Sequence, residues 1–147
     1  MKFFLPIILA AVLAGCGSVA QGPLYSQAAS SIGVSSDESI IVVYRPSRVT
    51  GSAAGMNLVV NDRNEGPLQP LGFRSLSVMP GKITIHTDTS AIDRVSTITA
   101  EPGKRYFFRT KFSNYVMTGA WDLVEVEPAV AERELSELRN SDPAPDK

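Results

Sequence analysis

His86 is the first residue to consider for catalysis, because it is the only histidine in the chain. Asp88 lies on the same face of the same predicted strand, and Ser90 follows two residues later. A serine hydrolase needs its three groups on separate elements around a pocket, and the sequence holds no Gly-x-Ser-x-Gly motif. A metal site needs further nitrogen or sulfur ligands, which are scarce here. We therefore predict that His86 is a surface residue and that the protein has no catalytic residues, metal or cofactor; a hydrolase is the least favoured alternative.

Two further patterns fail as functional motifs. The glycines Gly51 and Gly55 are not followed by the Lys-Ser/Thr pair that contacts phosphates in a nucleotide-binding loop. Asp122 and Glu125 point to opposite faces of a predicted strand, an arrangement that does not suit a glycosidase. The net charge of −1 at pH 7 argues against a nucleic acid as partner. The sequence therefore predicts neither an enzyme nor a nucleic-acid-binding protein.

Cys16 has the context that points most clearly to a chemical role. A basic start is followed by an apolar run over residues 3–14, which as a helix at about 1.5 Å per residue is too short to cross a bilayer core of about 30 Å. This pattern is typical of a secretory signal peptide. The segment Leu13-Ala14-Gly15-Cys16 resembles the lipobox of bacterial lipoproteins. The resemblance implies cleavage before the cysteine and a diacylglycerol on its nucleophilic sulfur.

Lipidation at Cys16 would make a membrane the first partner of the protein. Two or three acyl chains such as palmitate bind firmly, since each buried methylene contributes about 0.8 kcal/mol. The lipid consumes the only cysteine of the chain, so we expect no disulfide. Gly17 follows, and lipoprotein sorting rules imply that a residue other than Asp there directs the protein to the outer membrane in a cell with two membranes. The predicted location is therefore the bacterial cell envelope, on the side facing the periplasm.

Short β-rich runs separated by turn signals fill the centre of the chain. With 147 residues, 44% of them hydrophobic and 20% charged, the composition fits one globular domain. The predicted class is mainly β, an antiparallel β-sandwich of about seven strands with one C-terminal helix. The strands are predicted over 39–45, 56–61, 73–78, 82–88, 95–100, 105–113 and 120–127, with a weak eighth near Leu68 and turns over 61–66, 79–82 and 101–104.

The domain organisation follows from composition along the chain. Residues 1–15 form the signal peptide, and residues 16–38 form the lipidated cysteine with a flexible tether rich in Gly, Ser, Ala and Gln. The β-sandwich domain covers residues 39–127. A helix over 128–139 begins with proline and has acidic residues early. The last segment, 140–147, is predicted to be a disordered tail because it is rich in proline and charge.

Two predicted strands have patterns that assign their faces. In the strand that begins at Arg105, Tyr106, Phe108 and Phe112 share one face, and the opposite face is mostly basic. The run Ile40-Ile41-Val42-Val43-Tyr44 is apolar on both faces, which is typical of a central strand covered on its second side. The covering element is predicted to be the C-terminal helix, whose apolar stripe consists of Ala131, Leu135 and Leu138.

One candidate binding face emerges from the charge distribution. Residues 39–115 carry ten basic side chains against five acidic ones, and residues 116–147 carry three against eight. The face is predicted to consist of Arg105, Phe107, Arg109, Lys111, Arg45 and Arg48. Such a face has two possible uses. It could bind an anionic glycan, an anionic lipid or an acidic envelope protein, or its arginine and lysine side chains could pair with the acidic C-terminal helix. We favour the pairing, because long basic side chains also cover apolar surface.

Four segments in this order carry a resemblance to a known family. They are Ile41-Val42-Val43-Tyr44-Arg45-Pro46-Ser47-Arg48, Leu58-Val59-Val60-Asn61-Asp62, Pro80-Gly81-Lys82-Ile83-Thr84-Ile85 and Pro102-Gly103-Lys104-Arg105-Tyr106-Phe107. Over residues 39–127 the chain resembles a domain-of-unknown-function family of small bacterial lipoproteins, and its Pro-Gly-Lys hairpin is similar to PEGA-type envelope domains. Asp62 stands where those families often carry glycine. The resemblance implies a compact β-sandwich at the cell envelope and brings no catalytic motif.

The function expected from these observations is a membrane-anchored, non-catalytic structural or interaction module of the cell envelope. The alternative is a module that binds envelope glycan or anionic lipid through the basic-aromatic face.

Overall fold

The computed structural model of the chain describes residues 19–46, 55–89, 92–115 and 118–141. These residues form two sheets packed face to face and a short helix near the C-terminus, which confirms the predicted fold class. The strands are β1 (Ser39–Arg45), β2 (Asn57–Val60), β3 (Arg63–Pro67), β4 (Gly72–Val78), β5 (Gly81–Asp88), β6 (Ile92–Asp93), β7 (Ser96–Ala100), β8 (Arg105–Tyr115), β9 (Thr118–Glu125) and β10 (Arg139–Asn140). The helices are α1 (Tyr25–Ala28) and α2 (Pro128–Leu135).

The six-stranded sheet has the order β10-β4-β1-β8-β9-β6, and the four-stranded sheet has the order β3-β2-β5-β7. Neighbouring strands are antiparallel except in the pairs β1–β8, β4–β10 and β6–β9, which run parallel. The predicted antiparallel sandwich is therefore antiparallel except at these three pairs. Strands β1 and β8 can run parallel because the chain between them is long enough for the crossover that parallel strands require; it builds the whole four-stranded sheet together with β4 and β6.

The main core lies between the two sheets. Ile41 and Val43 of β1 and Phe108 of β8 face Leu58 and Ile85 of the four-stranded sheet, and all five are buried. Tyr106 and Phe112 pack against the same core, as the alternation in β8 predicted. The single tryptophan, Trp121 of β9, completes it with its ring 5.1 Å from that of Phe112.

A second core covers the outer face of the six-stranded sheet. Ile40, Val42 and Tyr44 of β1 and Phe107 of β8 lie there, beneath the helix α2 and the N-terminal segment. The helix contributes its predicted apolar stripe, Ala131 and Leu135, and Leu138 follows from the turn beyond it. Every residue of β1 is buried, so the predictions that this strand is central and that the C-terminal helix covers it are both confirmed.

The C-terminal segment differs from the prediction in its bounds. Helix α2 ends at Leu135, and Arg139–Asn140 forms β10 beside β4. Ser141 is buried, so the predicted disordered tail does not begin at residue 140; residues 142–147 lie outside the described residues. The helix stops because the backbone of residues 139–141 pairs with Leu71, Pro23 and Phe73.

The N-terminal segment corrects the prediction of a flexible tether over residues 16–38. Ala20 and Tyr25 are buried, and the Tyr25 ring packs edge-on against Phe73 with 5.2 Å between the ring centroids. The segment is held because burying these apolar groups against the six-stranded sheet offsets the entropy lost on ordering them. None of the helices in the described part of the chain has the length and apolar character needed to cross a bilayer.

The predicted turn over residues 61–66 is in fact a tight turn followed by a strand. Asn61 and Asp62 have φ values of 47° and 63°, and two such residues in succession are typical of a type I′ hairpin turn. Asp62 thus adopts the conformation that glycine favours. Strand β3 begins directly afterwards at Arg63 and pairs with β2 as an edge strand, with Pro67 at its end. Leu68, the predicted eighth strand, is buried one residue beyond β3.

Candidate functional site

Part of the predicted basic-aromatic face lies on the outer face of the six-stranded sheet, where helix α2 covers it. Phe107 of β8 is only 2% exposed and packs in the second core. Arg105 and Arg109 lie on either side of it along the strand, both half-buried. The helix that covers them has carboxylates at Glu132 and Glu134. The arrangement brings the basic strand and the acidic helix together, which is the interpretation that the sequence analysis favoured.

Glu134 is the centre of the first polar contact between helix and sheet. Its Oε2 accepts a hydrogen bond of 2.6 Å from the Tyr44 hydroxyl, and its Oε1 accepts one of 2.7 Å from Nη1 of Arg109. The carboxylate is therefore held by a central strand and by its neighbour at once. Because the contact is partly buried, its hydrogen bonds are stronger than those of an exposed ion pair.

Glu132, two residues earlier in helix α2, makes a second contact that again joins a glutamate, a tyrosine and an arginine. Its Oε1 accepts a hydrogen bond of 3.0 Å from the Tyr25 hydroxyl and lies 3.6 Å from Nη1 of Arg105. The Nη2 of Arg105 also donates a hydrogen bond of 2.6 Å to the carbonyl of Ile32. This contact therefore joins three parts of the chain: the N-terminal segment, strand β8 and helix α2.

Both tyrosines in these contacts titrate abnormally. Burial of the ring, and then the hydrogen bond to Glu132, raise the pKa of Tyr25 to about 12. Burial and the hydrogen bond to Glu134 raise the pKa of Tyr44 further above its usual value. Near neutral pH both hydroxyls are therefore protonated and able to donate.

Arg45 does not belong to a surface, which corrects its prediction as a binding residue. Its side chain is 1% exposed, and its guanidinium carbon lies 4.9 Å from the ring centroid of Trp121, in the range of a cation–π contact. Nη1 donates a hydrogen bond of 3.4 Å to the Leu68 carbonyl, and burial lowers the pKa of the guanidinium. Position 45 points inward because it continues the alternation of Ile41 and Val43.

The two other predicted members of the face are Lys111 and Arg48. Lys111 is exposed on β8, where its partner across the strands is Asp122. Arg48 lies outside the described residues. Of the five predicted residues that the structure describes, Arg105, Phe107 and Arg109 are the ones brought together beneath helix α2.

A shallow cleft of about 370 Å³ opens beside this contact, at the start of helix α2. It is lined by one basic residue, Arg105, by two acidic residues, Glu125 and Glu127, and by the apolar Phe107, Val126 and Pro128. Two acidic groups therefore face one basic group, and that basic group is already engaged with Glu132 and Ile32. A cleft with this balance of charge does not favour an anionic ligand.

The residues first considered for catalysis do not converge. His86 is half-buried on the outer face of the four-stranded sheet, opposite Val59 of β2, and Asp88 is exposed near the end of the same strand. Asp122 accepts a hydrogen bond of 2.9 Å from the Ser113 hydroxyl and forms an ion pair of 3.2 Å with Arg94. Ser90 lies outside the described residues. Within the described ranges, no three His, Cys, Asp or Glu side chains form a group that would hold a metal ion.

The N-terminal segment is attached to the end of the six-stranded sheet, which was not predicted from the sequence. The N–H of Ala20 donates to the Pro70 carbonyl at 3.2 Å, and the N–H of Gly22 donates to the Asn140 carbonyl at 3.0 Å. The N–H of Asn140 in turn donates to the Pro23 carbonyl at 2.9 Å. Cys16 itself lies outside the described residues, four positions before Ala20. A signal was present in the sequence, since Tyr25, Ala28, Ala29 and Ile32 have the spacing of one helix face.

Comparison with known proteins places the chain in a family without assigning an activity. A family model described as "Protein of unknown function (DUF2846)" matches residues 35–121, which is more than half of the chain. The match includes both sheets up to Trp121 and stops before helix α2. No curated protein and no solved structure matches the chain. The chain therefore belongs to the DUF2846 family of proteins of unknown function.

Proposed function

We propose that this protein is a lipid-anchored module of the bacterial cell envelope that acts through contacts with other envelope components rather than through catalysis. The observation that carries the proposal is the segment Leu13-Ala14-Gly15-Cys16 at the end of an apolar leader, only four positions before Ala20, the first buried residue in the described part of the chain. An enzyme that places lipid on Cys16 would leave the folded domain at the bilayer surface. The β-sandwich would then be the part presented to partners.

The polar groups between helix α2 and the outer face of the six-stranded sheet support a structural role for the predicted basic-aromatic face. Arg105 and Arg109 are engaged by Glu132 and Glu134 of helix α2, and the aromatic ring between them is buried. These residues hold the helix and the N-terminal segment on the sheet. A module that binds glycan or anionic lipid through this face has less support, because it would first have to displace the helix.

Metabolic labelling tests the anchor. Cells expressing the full chain with an alkyne fatty acid should yield a labelled protein in the membrane fraction, and Cys16→Ser should yield an unlabelled precursor that keeps its leader, because no other residue offers the thiol. Ser18→Ala is the matched control and should be labelled and processed normally. Label that persists on Cys16→Ser, or a full chain without label, would contradict the proposal.

Crosslinking in intact cells tests the second half of the proposal. A photocrosslinker at Met79, which is 70% exposed on the hairpin between β4 and β5, should capture defined envelope proteins. The same group at the buried Leu135 position of helix α2 is the control for background capture. Specific capture of glycan in place of protein would favour the binding-module alternative.

A further inference from the structure

The short distance between Cys16 and the folded domain limits how the domain can sit on a membrane. Ala20 is buried, and the hydrogen bonds of Ala20 and Gly22 to Pro70 and Asn140 fix this stretch to the sheet. Four residues reach at most about 14 Å, since an extended chain spans about 3.3–3.6 Å per residue. A lipid on Cys16 would therefore hold one particular end of the sandwich close to the bilayer.

We propose that this end is a membrane-facing surface and that the sandwich stands end-on on the lipid. We call it the Ala20 end and define it by its exposed residues Gln21, Pro67 and Arg139, with the half-buried Gln69 beside them. The ligand is a lipid bilayer, held by the anchor and not by a headgroup pocket. The inference rests on the proposed lipidation of Cys16.

The strand register shows which features lie at the opposite end. Gly72 at the start of β4 lies against Ala20, since a Cβ added there would come within 2.9 Å of the Ala20 Cβ. From Gly72, β4 runs six residues to Val78, or about 20 Å at ~3.3 Å per residue. The hairpin with Met79 follows, so it lies at the far end of the sandwich.

The second Pro-Gly-Lys turn lies at the same far end. Ala100 at the end of β7 pairs with Gly81, and Arg105 at the start of β8 pairs with Ile40 near the start of β1. The turn over residues 101–104 is therefore beside the Met79 hairpin. Lipidated at Cys16, the protein would present both turns away from the bilayer.

The acidic residues beside helix α2 make that side of the sandwich a poor membrane contact. Glu127 and Glu137, just outside the two ends of helix α2, are exposed, and Arg133 is the exposed basic residue of the helix. Glu132 is exposed as well, but its charge is paired with Arg105. Carboxylates are repelled by a leaflet with anionic lipid, and each charge near such a surface is worth about 1 kcal/mol. Lying on that flank is therefore less favourable than standing on the Ala20 end.

Energy transfer to a labelled bilayer tests the orientation. The lipid consumes the sulfur of Cys16, so a single engineered cysteine can carry a donor dye in the full, lipidated chain. Pro67→Cys and Met79→Cys place the dye at exposed positions at the two ends. After reconstitution into vesicles of phosphatidylethanolamine and phosphatidylglycerol with a rhodamine lipid, we expect the dye at position 79 to lie about 20 Å farther from the bilayer than the dye at position 67.

Two glycine substitutions test whether the attachment of residues 20–23 sets this orientation. A Cβ at Gly22 would lie 2.5 Å from the backbone oxygen of Asn140, so Gly22→Val should release the segment and reduce the difference between the two dyes. A Cβ at Gly33 meets nothing within 4 Å, so Gly33→Val is the matched control and should leave the difference unchanged.

The outcomes separate this inference from the proposed function. Equal transfer from both positions, or stronger transfer from position 79, in protein that carries fatty acid would overturn the orientation and leave the anchor intact. Protein without fatty acid that does not bind vesicles would overturn both. Thermal unfolding followed by Trp121 emission shows whether Gly22→Val folds. If it does not, the comparison of dyes at positions 67 and 79 in the parent chain still tests the orientation.

Discussion

The hydroxyl of Tyr44 lies 2.6 Å from Oε2 of Glu134, and this hydrogen bond joins the central strand of the six-stranded sheet to the helix that covers it. The residues are ninety positions apart in the chain. The contact therefore closes the structure between the first strand of the sandwich and its C-terminal segment. Tyr25 and Glu132 make the corresponding bond for the N-terminal segment, at 3.0 Å. Both ends of the described chain are thus held on one face of one sheet.

The first prediction concerns the charge of Glu134. Glu134→Gln keeps the shape of the side chain but weakens its bonds to Tyr44 and Arg109, because bonds to a charged acceptor contribute about 1.5–3 kcal/mol and neutral ones about 1 kcal/mol. We expect the free energy of unfolding in urea to fall by about 1 kcal/mol.

Glu137→Gln is the matched control for this prediction. Glu137 is exposed just beyond helix α2, so its substitution should change stability by no more than about 0.5 kcal/mol. Equal stability losses for the two variants would mean that the contact of Glu134 with Tyr44 and Arg109 does not hold the helix.

The second prediction concerns alkaline pH. Folding raises the pKa of Tyr25 from 10.0 to about 12, so the native state holds the phenolic proton more tightly than the unfolded state. The stability that this provides is fully present below pH 10 and is lost as the pH rises through about 12. Since one unit of pKa corresponds to about 1.4 kcal/mol, the loss should be roughly 2–3 kcal/mol for Tyr25. The raised pKa of Tyr44 adds a loss of the same sign.

Urea unfolding over this pH range measures the alkaline loss. Tyr25→Phe should be less stable than the parent chain at neutral pH and should lose less stability as the pH rises. Tyrosinate absorbance, followed separately, should show that the Tyr25 ring ionises near pH 12 and not near pH 10 while the protein is folded. A parent chain that is as stable above pH 12 as it is below pH 10 would contradict the prediction.

The alternation of residues was enough to predict the layers of this fold. In β8 it separated Phe108, which faces the core between the sheets, from Phe107, which faces helix α2. In β1 the apolar character of both faces predicted a central, covered strand. These predictions succeeded because burial on a given face follows directly from the two-residue period of a strand.

The parts that the sequence did not predict depend on contacts between distant segments. Strand β3 is polar and contains glycine and proline, so only its pairing with β2 makes it a strand. Leu138 has the spacing of the helical stripe and is buried in the same core, although it lies in the turn beyond the helix. The apolar pattern therefore could not show that α2 ends at Leu135. Arg45 was expected at a surface because arginine is seldom buried, and its contact with Trp121 depends on the opposite end of the chain.

The third prediction concerns the buried guanidinium of Arg45. Arg45→Ala removes its contact with Trp121 and its bond to the Leu68 carbonyl, and leaves a cavity between the sheets. We expect a loss of about 2–4 kcal/mol in the free energy of unfolding. Trp121 is the only tryptophan, so its emission in the folded state should change as well. Arg133→Ala, at an exposed position of helix α2, is the matched control and should alter neither quantity. Wild-type emission and stability in Arg45→Ala would show that the two side chains do not interact.

The last prediction tests whether strand β5 of the four-stranded sheet has only a structural role or whether His86 on its outer face takes part in chemistry. His86 and Ile85 are neighbours on β5, but Ile85 is buried between the sheets and His86 lies on the outer face. Ile85→Ala should therefore cost about 2–5 kcal/mol of stability, whereas His86→Ala should change it by no more than about 0.5 kcal/mol. We also expect His86→Ala to complement a strain that lacks the gene as well as the parent chain does, because within the described residues His86 belongs to no group of three His, Cys, Asp or Glu side chains. A His86→Ala protein that melts normally but fails to complement would instead indicate an enzyme or a metal site on this face.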